Sequence, residues 1–182
     1  MLVTGEYNRE RALEYARKWA LERNPLFTDY AGIGGDCTSF ASQTLYAGSC
    51  KMNFTPITGW YYISDSQRTA SWTGVQFLYN FLVSNTGVGP YGRDVFADEA
   101  LPGDLIQLSD EDGNFYHTLI ILGSEDGEFI VAAHNDDSLD RPLSTYTYSG
   151  LRYIHIDGVR YSMAEQNGCF ASLLDGTDLS VN

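Results

Sequence analysis

At Pro102-Gly103 the hydrophobic pattern of the chain changes period, and that switch constrains the fold more than any other feature. Before it, apolar residues recur at helical spacing. After it, Asp104–Leu108, His117–Leu122, Glu128–His134 and Tyr153–Ile156 read as four short strands. The first two are apolar on both faces, so the sheet is expected to be covered on each side. Helices first and antiparallel strands second is the pattern of an α+β fold, with N-terminal helices packed on a C-terminal antiparallel sheet.

In the helical half, Asn8 is placed to cap a helix from Arg9 to Arg23, with Leu13, Ala16, Trp19 and Ala20 as its apolar stripe. Asn24-Pro25 stops it. A second helix is predicted from Thr38 to Ala47, with Gly48 as its stop, and a third from Trp72 to Val83. Residues 51 to 71 read as a long aromatic loop and 85 to 92 as a glycine-rich turn.

The 182 residues suffice for one domain, expected to span 1–182, and 43% hydrophobic with 14% aromatic residues marks a globular chain. A net charge of −13 leaves no basic block for phosphates, which argues against nucleic acid or an anionic membrane as partner. No apolar run is long enough for membrane insertion. The N-terminus carries no basic leader followed by an apolar stretch, so no signal peptide is expected; localisation and oligomeric state stay open.

Three cysteines, Cys37, Cys50 and Cys169, have no CxxC spacing, so neither a zinc site nor a disulfide framework is expected, and no cofactor is implied. One Cys50–Cys169 bridge would leave Cys37 free, and at least one thiol is expected to be free in any case. Cys37 follows Gly34-Gly35-Asp36 at the start of a helical segment. There the helix dipole and unsatisfied N–H groups favour a thiolate, the nucleophilic form. The glycines would leave the sulfur accessible, the Cys37 N–H could meet an oxyanion, and Asp36 could cap the helix. The competing reading is a buried cysteine packed as a small hydrophobe.

A nucleophilic thiol needs a base. His117 opens one predicted strand and His134 closes the next, with Ser124-Glu-Asp-Gly127 as the turn. A turn centred on Glu125-Asp126 sets His117 opposite His134. A turn centred on Asp126-Gly127 sets it opposite Asp136, with His134 diagonal. In both registers His117, His134 and Asp136 share a face and Asn135 points to the other, unless a bulge intervenes. His155 has no acidic or thiol partner in sequence and is read as structural.

The stretch "GGDCTSFASQTLYAGS" resembles the "GGDCTNFVSQ" signature of the bacterial Putative amidase domain family, a branch of the papain-like NlpC and CHAP cell-wall hydrolases. "YNRERALEYARKWALERNPLF", "GWYY", "SWTGV", "GDLIQL", "HTLIIL", "VAAHNDD" and "DRPL" match further blocks in order, from Tyr7 to Ile156. The resemblance implies a papain-like core, with Cys37 as nucleophile and His117 as base. It also implies His134 as the third polar residue. The family commonly has Thr after that histidine, whereas Asn135-Asp136-Asp137 follows here, which leaves Asp136 as the alternative third member. The implied reaction is hydrolysis of an amide or peptide bond through a thioacyl-enzyme. The implied partner is a peptide or peptidoglycan fragment. Tyr30 is a candidate second oxyanion donor, and Trp60, Tyr61, Tyr62 and Trp72 are candidates to line a substrate groove. A non-catalytic module with the same shell and an acyltransferase of transglutaminase type are the competing functions.

Overall fold

Asn8 caps the first helix as its position predicts: its Oδ1 accepts the Arg11 N–H at 3.0 Å. In the computed structural model, which describes residues 1–163 and 168–179, the elements run β1 (Leu2–Gly5), α1 (Arg9–Trp19), α2 (Cys37–Ser49), β2 (Tyr62–Ser64), β3 (Gln67–Arg68), α3 (Ala70–Thr73), α4 (Val75–Ser84), β4 (Gly89–Val95), β5 (Leu105–Ser109), β6 (Phe115–Glu125), β7 (Glu128–Ala133), β8 (Ser138–Pro142), β9 (Gly150–Ser162) and α5 (Phe170–Asp175). The architecture is mixed α+β with an antiparallel sheet.

The main sheet has seven strands in the order β1-β9-β5-β6-β7-β8, and β4 also pairs with β9. Ile154 faces Leu105 on one side and Asp94 on the other, while Val159 faces Gly5 and Pro90. The long β9 therefore carries β4 along one edge, with β5 and then β1 along the other. Helix α2 lies on one face, where Phe40 and Leu45 meet Leu105, Ile120, Ala132, Ile154 and the aromatic cluster of Phe27, Trp60, Trp72 and Phe81. Ile106, Leu119, Ile121 and Val131 point to the opposite face, under Leu143 and the partly buried Tyr146. Both sheet faces are covered, as the two-sided apolar strands predict.

Several boundaries differ from the sequence-based expectation for identifiable reasons. Helix α1 ends at Trp19, four residues early, and Arg23 turns away to pair with Asp137 at 2.9 Å. Gly48 does not stop α2. It lies inside the helix, at a point where the Tyr7 ring and the Asn8 carbonyl leave no room for a Cβ. The helix ends instead at Cys50 in left-handed conformation (φ 49°), and Cys50 is bridged to Cys169 across 119 residues, with a Cα–Cα distance of 5.4 Å. Gly74, which donates its N–H to Ala70 O, divides the third predicted helix into α3 and α4. The expected loop at 51–71 holds an Asn53–Trp60 bridge and the β2–β3 hairpin, and the expected turn at 85–92 contains the start of β4.

Candidate active site

The backbone enters α2 through Gly34 (φ 102°) and Gly35 (φ 109°), conformations that favour glycine. A Cβ on Gly35 would collide with Asn135 Nδ2. That clearance lets Asn135 Oδ1 accept the Asp36 N–H at 2.7 Å and clasp the turn before the helix. Asp36 occupies the N-cap position but makes no side-chain cap hydrogen bond, which corrects the expected role. Its carboxylate is buried and turned back: Oδ1 accepts the Tyr30 N–H at 2.9 Å, while Oδ2 meets His134 Nδ1 and lies 3.5 Å from Arg23 Nε. Enclosed in this way, Asp36 presents nothing to a substrate.

Cys37 is the first residue of α2 and is free, but it is only 4% exposed, so the glycines do not leave the sulfur open. Burial pushes its thiol pKa up, against the downward pull of N–H groups from Thr118 and Thr38 and of the Thr38 hydroxyl 3.7 Å away. The expected resting thiolate is replaced by a thiol. The contact with the Thr118 N–H sets the sulfur beside β6, one residue along the chain from His117.

His117 is 8% exposed, pairs across the sheet with Leu108, and lies between the rings of Tyr116 and Tyr146, at 6.4 and 5.8 Å. Neither of its ring nitrogens hydrogen-bonds another side chain among the described residues. Burial first, and the Arg141 guanidinium second, push its pKa down to about 4, with Asp136 opposing. A group that binds its proton near the usual 6.5 when unfolded and near 4 when folded favours unfolding between those values. Folding stability is therefore expected to fall by up to ~3 kcal/mol as pH drops from 6.5 to 4 through this group. Urea denaturation at both pH values checks it: His117→Asn should lose clearly less stability than the wild type, and equal losses contradict the assignment.

The expected shared face of His117, His134 and Asp136 does not form. The turn is the one centred on Asp126-Gly127, with Glu125 opposite Glu128, but the register slips between Ile121 and Gly123 and β7 ends at Ala133. The bulge inverts the parity, and His134 leaves the sheet in a left-handed turn with Asn135 (φ 63°) and Asp136 (φ 65°). His134 stacks on Phe40 at 3.9 Å between centroids; Nδ1 meets Asp36 and Nε2 meets Trp19 O at 2.8 Å. With both nitrogens engaged, His134 has none left to orient His117. Asp136 accepts from Arg141 Nη1 at 2.9 Å and acts on His117 only through its charge.

The remaining candidates fall outside the site. Trp60 and Trp72 are fully enclosed, in contact with each other at 4.8 Å, so neither lines a groove. Tyr30 donates its hydroxyl proton to Asp65 at 2.8 Å, which takes it away from an oxyanion. Burial and Asp65 push its pKa up to about 12. His155 acquires the partner that its sequence neighbours lack, with Nδ1 2.7 Å from the buried Asp104. Among the described residues no His, Cys, Asp and Glu group could hold a metal ion. Sequence reasoning missed Asn135, Arg141 and Tyr146, whose hydroxyl is enclosed beside the His117 ring with no partner among the described residues. Only Asn135 left a signal, as an Asn followed by Asp in a chain turning out of a strand.

The sequence pattern described as Putative amidase domain matches residues 6–156. An uncharacterized protein of Bacillus subtilis (strain 168), YhbB, is 35% identical over 138 residues, 73% of this chain; the match covers 43% of that relative's length. No solved structure matches the chain.

Proposed function

The chain belongs to the Putative amidase domain family, and from that membership we propose that it hydrolyses an amide or peptide bond through Cys37, with peptidoglycan stem peptides as the substrate class. The observation that carries this reading is the free thiol on the first residue of a helix, abutting the Thr118 N–H next to His117. A nucleophile helix followed by an antiparallel sheet bearing the histidine supports a papain-like core of NlpC and CHAP type. The Cys50–Cys169 bridge fits a protein that works in an oxidising compartment, where such a substrate is found.

Burial sets the chemistry of the resting pair. At neutral pH the thiol keeps its proton and His117, with a pKa of about 4, is neutral and able to accept one. As Sγ bonds to the substrate carbonyl carbon, His117 takes the thiol proton, and the carbonyl oxygen becomes an oxyanion beside the Cys37 N–H. His117 then gives that proton to the departing amine nitrogen as the C–N bond breaks and a thioester remains. Water attacks the thioester, passing a proton to His117; the C–S bond breaks and the proton returns to sulfur.

The experiment is digestion of purified peptidoglycan with wild type and with Cys37→Ala, followed by mass spectrometry of the fragments. New amine and carboxyl ends from the wild type alone are expected. Intact peptidoglycan together with inert synthetic stem peptides would remove the proposal. The low exposure of Cys37 favours one alternative, a non-catalytic module. That alternative requires wild type and Cys37→Ala to bind peptidoglycan alike and to leave it equally intact.

A further inference from the structure

A string of buried polar side chains runs from the sulfur through the core to Arg152. Thr38 Oγ1 lies 3.7 Å from Cys37 Sγ and 3.0 Å from Thr118 Oγ1. Gln107 Nε2 lies 3.2 Å from Thr118 Oγ1, and Arg152 reaches Gln107 Oε1 through Nε at 2.9 Å and Nη2 at 2.6 Å. Thr38, Thr118 and Gln107 are at most 1% exposed, so a hydroxyl or amide proton left without an acceptor here would bear the full cost of its desolvation.

That cost fixes the direction of every proton. Arg152 can only donate, so the oxygen of the Gln107 amide must face it and the NH2 group must face inward. There Nε2 donates to Val75 O at 2.9 Å and to Thr118 Oγ1. The Thr118 hydroxyl, already accepting from an amide, must send its own proton to Thr38 Oγ1. The Thr38 proton then has Cys37 Sγ as its remaining partner. In the reverse direction the Thr118 proton would point at the Gln107 NH2 group, a buried donor facing a donor.

We propose that Arg152, Gln107, Thr118 and Thr38 form a one-way hydrogen-bond relay that aims the Thr38 hydroxyl at Cys37 as a donor and thereby stabilises its thiolate. The proposal rests on Cys37 being the nucleophile. Thr118, Gln107 and Arg152 are positioning residues acting through Thr38. The Arg152 guanidinium is fixed at the far end between the rings of Tyr79 and Phe115, at 3.5 and 3.7 Å. The N–H groups of Thr118 and Thr38 pull in the same direction at the sulfur. Among charged and titratable neighbours, Asp36 opposes a thiolate, His117 follows along β6 with Arg141 and Asp136 beyond it, and Asp94 and Tyr79 flank Arg152.

The test reads the thiol itself. Cys50 and Cys169 are bridged, so Cys37 is the thiol that titrates, and ultraviolet thiolate absorbance corrected with Cys37→Ser reports its midpoint. Thr118→Val and Thr38→Val are each expected to raise the midpoint by about one pH unit, a tenfold loss of thiolate below it. Thr118→Ser, which keeps the hydroxyl, should titrate with the wild type. A Thr118→Val midpoint equal to the wild type, or a Thr118→Ser midpoint shifted with Thr118→Val, overturns the relay. If Thr118→Val fails to fold, the Thr38→Val midpoint decides in its place, and a value equal to the wild type overturns the relay. Failure here leaves amide hydrolysis by Cys37 standing. Inert peptidoglycan with the midpoint shifts intact would remove the proposed substrate and keep the relay.

Discussion

Replacing Cys37 by Ala is expected to lower amide hydrolysis by about 10⁵-fold or more, while changing folding stability by no more than about 1–2 kcal/mol. On the proposed mechanism the activity loss follows from removal of the atom that would form the acyl bond. The stability change is small because the methyl group fills most of the space, and only the Thr38 hydroxyl and the N–H groups that face sulfur lose an acceptor. His117→Ala should cost a similar factor, since a thiol without a base to take its proton is a poor nucleophile. The double variant should lose little beyond either single one, because the two residues act as a unit. Progress curves on a released stem-peptide substrate, with urea midpoints measured in parallel, check all three. Losses that multiply would mean that His117 does not serve Cys37.

The largest stability effect is expected from the bridge. Replacing Cys50 and Cys169 by Ser should cost about 5 kcal/mol, since the bond closes a loop of 119 residues and removes that freedom from the unfolded chain. For a domain of this size the melting temperature should fall by about 10–20 °C. The bridge ties the C-terminal end of α2 to the segment entering α5, while Cys37 stands at the other end of the helix. Hydrolysis measured well below the transition should therefore stay near the wild-type rate. A drop in activity without a drop in melting temperature would mean that the bridge serves the site rather than the fold.

What could be read from the sequence depended on how local its cause was. The start of α1 was legible because Asn8 caps it within one turn, and so was the start of α2, where the glycines deliver Cys37. The strands β5, β6 and β7 announce themselves by their own apolar runs. Strand β1 does not: it is a short segment with half its residues exposed, held by β9 from the other end of the chain. In β4, Gly89 and Pro90 read as a turn, yet a proline is tolerated in a strand whose other edge is unpaired.

In the candidate site, the place of Cys37 at a helix start was legible and the geometry around it less so. One bulge near Leu122 reversed the parity on which the partnership of His117 and His134 depended; Gly123 inside the strand is compatible with it but does not give its position or effect on the pairing. The burial of Cys37 was hidden for a similar reason. A helix terminus argues for a low thiol pKa only when water reaches it, and the packing of α2 against β6 decides that. Trp60 and Trp72 show the same limit, since aromatic loops read alike whether they face a groove or fill a core.

The clasp of Asn135 on the Asp36 N–H joins residues 99 positions apart. During synthesis, helix α2 leaves the ribosome long before the turn that holds its entry, and β9, the strand joining β1, β4 and β5, emerges later still. A partly made chain therefore carries the cysteine without the geometry around it. The clasp and the burial of the sulfur arrive only when the sheet closes, so until then Cys37 stands open to solvent as an ordinary thiol.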